Sequence, residues 1–254
     1  MKHTIGLLVL MACLAVSAAH AAPPEGPGWE SLFNGKDLTG WTIPEQNADI
    51  WTVEDGVLVC HPRTGGEGEK SLWSTESFGD FTLHVEWRLT ETKGEYDMPE
   101  ILPDGSYKLN EAGEPVLTPT PNADSGVYLR GTSKAQVNIW CWPVGSGEVW
   151  GYRTDADVAP EVRAGVTPKM NADKPVGEWN TFVITMQGEL LTVELNGEKV
   201  IENAQLPGVA EEGPIALQHH GGYDAATGSW NSASSLVEFR NIYVKELDGK
   251  EDRR

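Results

Sequence analysis

The chain has 254 residues, 39% of them apolar and 22% charged, which argues against wholesale disorder and leaves room for one large domain or two small ones. Its 28 glycines and 16 prolines favour many short elements joined by turns over a long helical bundle. With 38 acidic against 19 basic residues, the net charge of −19 argues against a general nucleic-acid binder, because phosphate backbones would be repelled.

The first residues read as a leader. Lys2 gives a positive start, Ile5 to Val16 is apolar, and Ala19-His20-Ala21 offers small residues for cleavage. This pattern predicts a secretory signal peptide over residues 1–21, cut after Ala21, and a periplasmic or secreted mature protein. A lipoprotein reading through Leu10-Met11-Ala12-Cys13 would leave a very short apolar run and strand the Ala19-His20-Ala21 site beyond the cut. No later stretch approaches the ~18 apolar residues that span a bilayer, so no membrane span is expected. Loss of the leader removes Cys13 and leaves Cys60 and Cys141, open to pairing or to burial as separate thiols.

After a Pro/Gly linker at 22–28, short apolar runs alternate with turns from Trp29 to about residue 247, ahead of a tail at 248–254. In Phe81 to Arg88, alternation turns Phe81, Leu83, Val85 and Trp87 one way and Thr82, His84, Glu86 and Arg88 the other. Residues 92–122 are turn-rich and aperiodic, a surface insertion longer than the ~12–15 residues of a plain loop, and hence functional or disordered. Gly126 to Arg130 and Gln136 to Trp140 alternate again. Thr181 to Met186 and Leu191 to Leu195 predict a hairpin about Gln187-Gly188, and Asn196-Gly197 a second tight turn. In Leu236 to Val244 the apolar phase slips between Phe239 and Ile242, which predicts a β-bulge near Arg240-Asn241. About a dozen strands of this kind imply an all-β antiparallel sandwich with Phe81, Leu83, Val85, Trp87, Val127, Leu129, Val137, Ile139, Ile215, Leu217, Val237 and Phe239 in its core.

The faces turned away from that core carry His84, Glu86, Arg88, Tyr128, Arg130, Gln136, Asn138, Trp140, Gln218, His220, Glu238 and Arg240. Any one of these could be a solvated strand residue. Together they are hydrogen-bonding and stacking groups of the sort that line a binding face. Trp140, Trp142, Trp150 and Trp230 lie among Gly, Pro or Ser, where an indole suits the apolar face of a pyranose better than a core. In Ile215 to His220 the phase turns Gln218 and His220 outward and His219 inward; paired histidines at a strand mouth are structural, catalytic or metal-binding. Nucleophile elbows, zinc-protease motifs and phosphate loops are missing from the sequence. Asn122 to Ser125 could feed oxygens to Ca²⁺ but lacks the acidic density of a committed loop.

Trp29-Glu30-Ser31-Leu32-Phe33-Asn34-Gly35-Lys36-Asp37-Leu38-Thr39-Gly40-Trp41 resembles the opening of the 3-keto-disaccharide hydrolase domain family. Trp51 to Leu58, Phe81 to Arg88, Asp124 to Arg130, Gly213 to Gly221 and Val237 to Ile242 continue the likeness in order. The resemblance implies a concanavalin-like jelly roll over 29–247, a secreted location and activity on glycosides oxidised at C3. Three departures stand out: the long 92–122 insertion, Asp124 where the family usually has Asn, and the doubled histidine with its 221–235 loop.

A C3 ketone acidifies the C2 hydrogen, so a base can remove it and expel the C1 substituent, with water addition completing a net hydrolysis. Such a site needs a base, a group polarising the ketone and an acid for the leaving oxygen. His220 or Glu86 is the expected base, with Arg88, Arg130 or Arg240 steadying the enolate, or a divalent cation held by histidine and carboxylate in their place. Register and resemblance together predict one shared face carrying these groups, with Arg130, Tyr128, Gln136, Asn138, Trp140, Gln218 and Arg240 binding the carbohydrate. A two-carboxylate route through Glu86 and Glu238 is the alternative chemistry. Two other function classes fit the same residues, a lectin-like carbohydrate-binding module without catalysis and a structural surface protein.

Overall fold

The computed structural model describes residues 23–231 and 233–247. The leader and the tail therefore lie outside the described residues. Strands run in chain order as β1 (Glu30–Ser31), β2 (Trp41–Thr42), β3 (Trp51–Glu54), β4 (Val57–Cys60), β5 (Leu72–Phe78), β6 (Phe81–Leu89), β7 (Glu95–Pro99), β8 (Leu117–Pro121), β9 (Asp124–Leu129) and β10 (Thr132–Trp140). Two short helices, α1 (Trp150–Arg153) and α2 (Pro160–Gly165), follow. The chain then continues through β11 (Asn180–Gln187), β12 (Leu190–Leu195), β13 (Glu198–Gln205), β14 (Gly213–Leu217), β15 (Tyr223–Asp224), β16 (Ser229–Trp230) and β17 (Val237–Glu246).

These strands build an antiparallel sandwich, as the alternation predicts, of the jelly-roll type that the family resemblance implies. One sheet runs β13-β12-β11-β6-β17-β4-β3, with β1 also on β17; the other runs β10-β9-β14-β5-β2. All twelve expected core residues are buried between them. Trp87 of β6 packs on Phe182 of β11 with ring centroids 5.3 Å apart. Asn196 and Gly197 both take positive φ (55° and 89°), the pair of angles that a tight hairpin turn between β12 and β13 demands.

The predicted bulge is present in β17. Arg240 faces Glu86 and Tyr243 faces His84, so three steps on β17 match two on β6. Asn241 takes up the extra residue at φ 50°. That slip returns Ile242 and Val244 to the core, where both are buried.

The 92–122 segment folds as a ribbon, β7 paired with β8, extended by single bridges at Ile101–Tyr107 and Leu109–Pro115. The ribbon docks on α2 through Gly105, where a Cβ would lie 2.8 Å from the Arg163 carbonyl and φ is +81°. Only glycine fits there. Below it, Glu148 and Arg153 form a buried ion pair, and the Arg153 guanidinium lies 5.1 Å from the Tyr107 ring of the ribbon. Cys60 and Cys141 are free thiols, so of the two readings the structure shows separate cysteines.

Candidate active site

Period-2 alternation lays three strands of the smaller sheet side by side with their polar residues outward. Across β9 and β10, Gln136 faces Tyr128, Asn138 faces Gly126 and Trp140 faces Asp124. On the other flank of β9, Ala216 of β14 faces Tyr128, and the Gln218 N–H donates to the Gly126 carbonyl. The same parity carries on to His220, beside Asp124. Gly126 leaves room for the Gln136 amide to lie across the strand, a place from which a Cβ would push it aside.

Over this face opens a cleft of about 380 Å³, lined by Asp124, Gln136, Asn138, Gln218 and His220 from the strands and by Trp140, Trp142, Trp150, Met98, Asn122 and Ala233 around them. Burial pushes the Asp124 carboxyl up from 3.8 to about 8, so at neutral pH it carries a proton. Desolvation draws His220 below the ordinary imidazole value, so it is a neutral ring with a free lone pair at the same pH. Its neighbour His219 is drawn down to about 4, again chiefly by desolvation. His219 is held inside by the Arg63 N–H, which donates to its Nε2 at 3.2 Å. The pair thus splits into one structural histidine and one that lines the cleft.

Ser235 ties together the backbones that carry the two titratable side chains of the cleft. Its hydroxyl accepts the His220 N–H at 2.6 Å and donates to the Asp124 carbonyl at 2.6 Å, while its own N–H donates to the His220 carbonyl at 2.8 Å. Beside them the Gln218 amide, turned with its nitrogen toward Asp124, donates to Oδ1 at 3.2 Å and accepts the Tyr128 hydroxyl at 3.2 Å. Asn122 Oδ1 and Asn138 Nδ2 are buried and unpaired among the described residues. Unpaired buried polar atoms cost about 1–3 kcal/mol each, and both belong to residues that line this cleft. The aromatic rim is built by stacking: Trp142 lies flat on Trp140 at 4.2 Å and 6°, and Trp140 is pinned through its indole N–H to the Gly145 carbonyl at 2.7 Å.

The expected single face is corrected by the structure. Gln136, Asn138, Trp140, Gln218 and His220 meet in the cleft, and Tyr128 adjoins it through Gln218. Glu86, Arg88 and Arg240 do not, because β6 and β17 belong to the other sheet and their outer face points away. There they pair across the strands, Arg240 with Glu86 and Arg88 with Glu238, each at 2.6 Å. Both guanidinium groups also lie over the Trp179 ring, at 4.0 and 4.8 Å. Arg130 is displaced for a different reason. It sits in a turn at φ 49°, buried, and binds Asp80 together with the carbonyls of Gly79, Gly188 and Ala210. Ser125 points inward and its hydroxyl donates to the Gln218 carbonyl, so the oxygens of Asn122 to Ser125 do not converge on a calcium ion. Sequence reasoning missed Asp124 as a site residue, although it shares its parity with Gly126 and Tyr128. Trp142 and Trp150, singled out by their Gly- and Pro-rich surroundings, do line the cleft, whereas Met98 and Ser235 are brought in by long-range folding and carry no local signal.

A divalent cation does not fit this donor set. The cleft gathers one imidazole and one carboxyl that burial keeps protonated. Among the described residues no three His, Cys, Asp or Glu side chains cluster as metal ligands. We therefore route no step through a cation.

The fold has counterparts among known proteins. Two solved structures described as candidate glycosyl hydrolases from Parabacteroides distasonis are similar in fold. One aligns with TM-score 0.52 and 19% identity over 87% of this chain and 95% of that one. The other aligns with TM-score 0.54 and 21% identity over 87% and 84%. A search of curated proteins finds no match. In sequence, the model of the 3-keto-alpha-glucoside-1,2-lyase-like domain matches residues 28–245. That span takes in both sheets, the ribbon and the cleft, and the chain accordingly belongs to this family of carbohydrate-acting domains.

Proposed function

We propose that the protein cleaves 3-keto-glucosides by elimination across C1 and C2, with water addition to the product giving a net hydrolysis. The observation that carries this reading is that His220 and Asp124 line one cleft, where desolvation favours the neutral form of each. His220 removes the C2 proton, and the electron pair of the C–H bond forms the C1–C2 double bond as the C1–O bond breaks. Negative charge gathers on the C3 oxygen during proton removal. The Asp124 hydroxyl donates a hydrogen bond to that oxygen, as carboxylic acids kept neutral by their surroundings do for enolates. Gln136, Asn138 and Gln218 hold the remaining hydroxyls, and Asn122 Oδ1 and Asn138 Nδ2 gain partners in doing so.

The decisive experiment measures release of the C1 substituent from a 3-keto-glucoside, with the C2-deuterated substrate in parallel. Turnover that slows on deuteration supports C2-proton removal. Saturable sugar binding without turnover of any 3-keto-glucoside would instead establish a lectin-like module. Export belongs to the same reading, since an oxidised glycoside outside the cell needs an enzyme there. N-terminal sequencing of the mature protein should begin at Ala22, and an acylated Cys13 would overturn cleavage after Ala21. No helix among the described residues is long and apolar enough to cross a membrane.

A further inference from the structure

Elimination calls for three services, and the cleft supplies two. Its lining holds two titratable side chains, Asp124 and His220. One is occupied with the C2 proton and the other with the C3 oxygen, so among the described residues that line the cleft no third titratable group stands ready to protonate the leaving oxygen. A sugar alkoxide leaves poorly without that proton. A phenolate leaves readily, because its conjugate acid has a pKa near ~10, far below that of an alcohol.

The polarity of the cleft points the same way. Its hydrogen-bonding side chains lie on the strand floor and at Asn122, whereas one wall is apolar: Met98 from the ribbon, Trp142 and Trp150. Trp150 opens α1 and remains 49% exposed while its helix neighbours Tyr152 and Arg153 are buried. Trp142 offers a flat indole already stacked on Trp140. The Met98 sulfur is steadied by the Asn122 amide at 3.9 Å. A pyranose can lay its C–H face on an indole, but every hydroxyl of a second sugar turned toward such a wall would want a partner, and leaving it without one is unfavourable. A flat aromatic ring makes no such demand. It gains offset stacking on indole and contact with the thioether sulfur.

We propose that this wall is an aglycone subsite for an aromatic ring, so that the preferred substrates are aryl 3-keto-glucosides rather than 3-keto-disaccharides. The proposal rests on the orientation given above, with the keto sugar on the polar floor. Atoms balance without an added acid: the C2 proton stays on His220 and passes to solvent, and the C1–O electron pair leaves with the aryl oxide.

Two measurements test it separately from the chemistry. The first compares kcat/KM for phenyl, methyl and glucosyl 3-keto-glucosides of one anomer. The phenyl compound should lead by at least about ten-fold, and rates across substituted phenyl compounds should fall steeply as the phenol becomes more basic. Trp150→Ala and Met98→Ala should each shrink the phenyl-to-methyl ratio several-fold, mainly through KM. A glucosyl compound turned over as well as the phenyl one, or a ratio untouched by both variants, would overturn the proposal. The second titrates the unoxidised phenyl and methyl glucosides by calorimetry, where no turnover is needed. Tighter binding of the phenyl compound that disappears in Trp150→Ala upholds the aromatic subsite even if no substrate reacts, and in that case the elimination reading falls alone. Equal binding of the two glucosides in the intact protein sinks the subsite whatever the activity.

Discussion

Asp124→Asn isolates the group on which the proposed chemistry turns. In the folded chain its carboxyl is raised from 3.8 to about 8. The folded protein therefore keeps the proton between pH 4 and 8 while the unfolded chain has already released it. Stability must fall as pH rises through that window and level off above it. At ~1.4 kcal/mol per unit, four units set a ceiling of about 6 kcal/mol. The side chain is part-exposed in an open cleft, which brings the expectation down to about 2–4 kcal/mol. Asparagine presents a carbonyl and a donor in the same shape but cannot ionise. Against wild type, Asp124→Asn should be nearly neutral at pH 4.5 and more stable by about 2–4 kcal/mol at pH 8.5. Urea denaturation at several pH values reads this directly, and the titration of the histidines cancels between the two proteins. In activity, wild type should decline above pH 8 as the donor ionises. The variant should be slower by about ten-fold at pH 7, since an amide donates more weakly, but should lack that alkaline limb. A stability difference that does not change with pH, or an identical alkaline limb in both proteins, would refute the protonated carboxyl.

Five other substitutions probe the same framework. His220→Ala should lower turnover of a 3-keto-glucoside by about 10²–10⁴ with little change in melting temperature, and a fully active variant would remove it as the base. Glu86→Gln should leave turnover within about two-fold, since Glu86 is paired with Arg240 on the far sheet; a loss like that of His220→Ala would contradict the fold. Ser235→Ala removes the hydroxyl shared by the His220 N–H and the Asp124 carbonyl, and should cost about 1–3 kcal/mol in denaturant and lower kcat more than it raises KM. Leu83→Ala and Phe239→Ala should each destabilise by about 2–5 kcal/mol, because both are buried and alanine leaves a cavity; near-zero loss at both would mean the strand register is wrong.

Alternation shows which side of a strand meets the core, and for this chain all twelve residues that it assigned to the core are buried. It even located the bulge, because a slip of phase within β17 has no other economical explanation. What alternation does not convey is which of two sheets a strand joins. Glu86 and His220 are both outward-facing, yet outward means opposite directions for β6 and for the segment after β14. Arg130 failed for a local reason: a residue at positive φ leaves the strand, and its side chain followed the turn into a nest of carbonyls. Asp124 was within reach, two positions before Gly126, but nothing in a linear pattern reveals that folding will strip water from one carboxylate among many. The resemblance to a known family carried the assignment further than periodicity did, and the departure from Asn at 124 falls at the position where burial matters most.

The ribbon of residues 92–122 is attached to the sandwich differently from the polar floor of the cleft. The polar floor shares its strands with the core, so a change there risks the register of a whole sheet. Met98 stands on β7, which pairs only with β8, and the ribbon is seated by Gly105 and by the Arg153 guanidinium over Tyr107. Selection can therefore rewrite Met98 and its ribbon neighbours with little penalty to folding, while Trp142, Trp150 and the polar lattice stay with the sandwich. A lineage built on this plan would diversify by exchanging ribbons, and a ribbon graft between two relatives should transfer leaving-group preference while the unfolding midpoint of the host hardly moves.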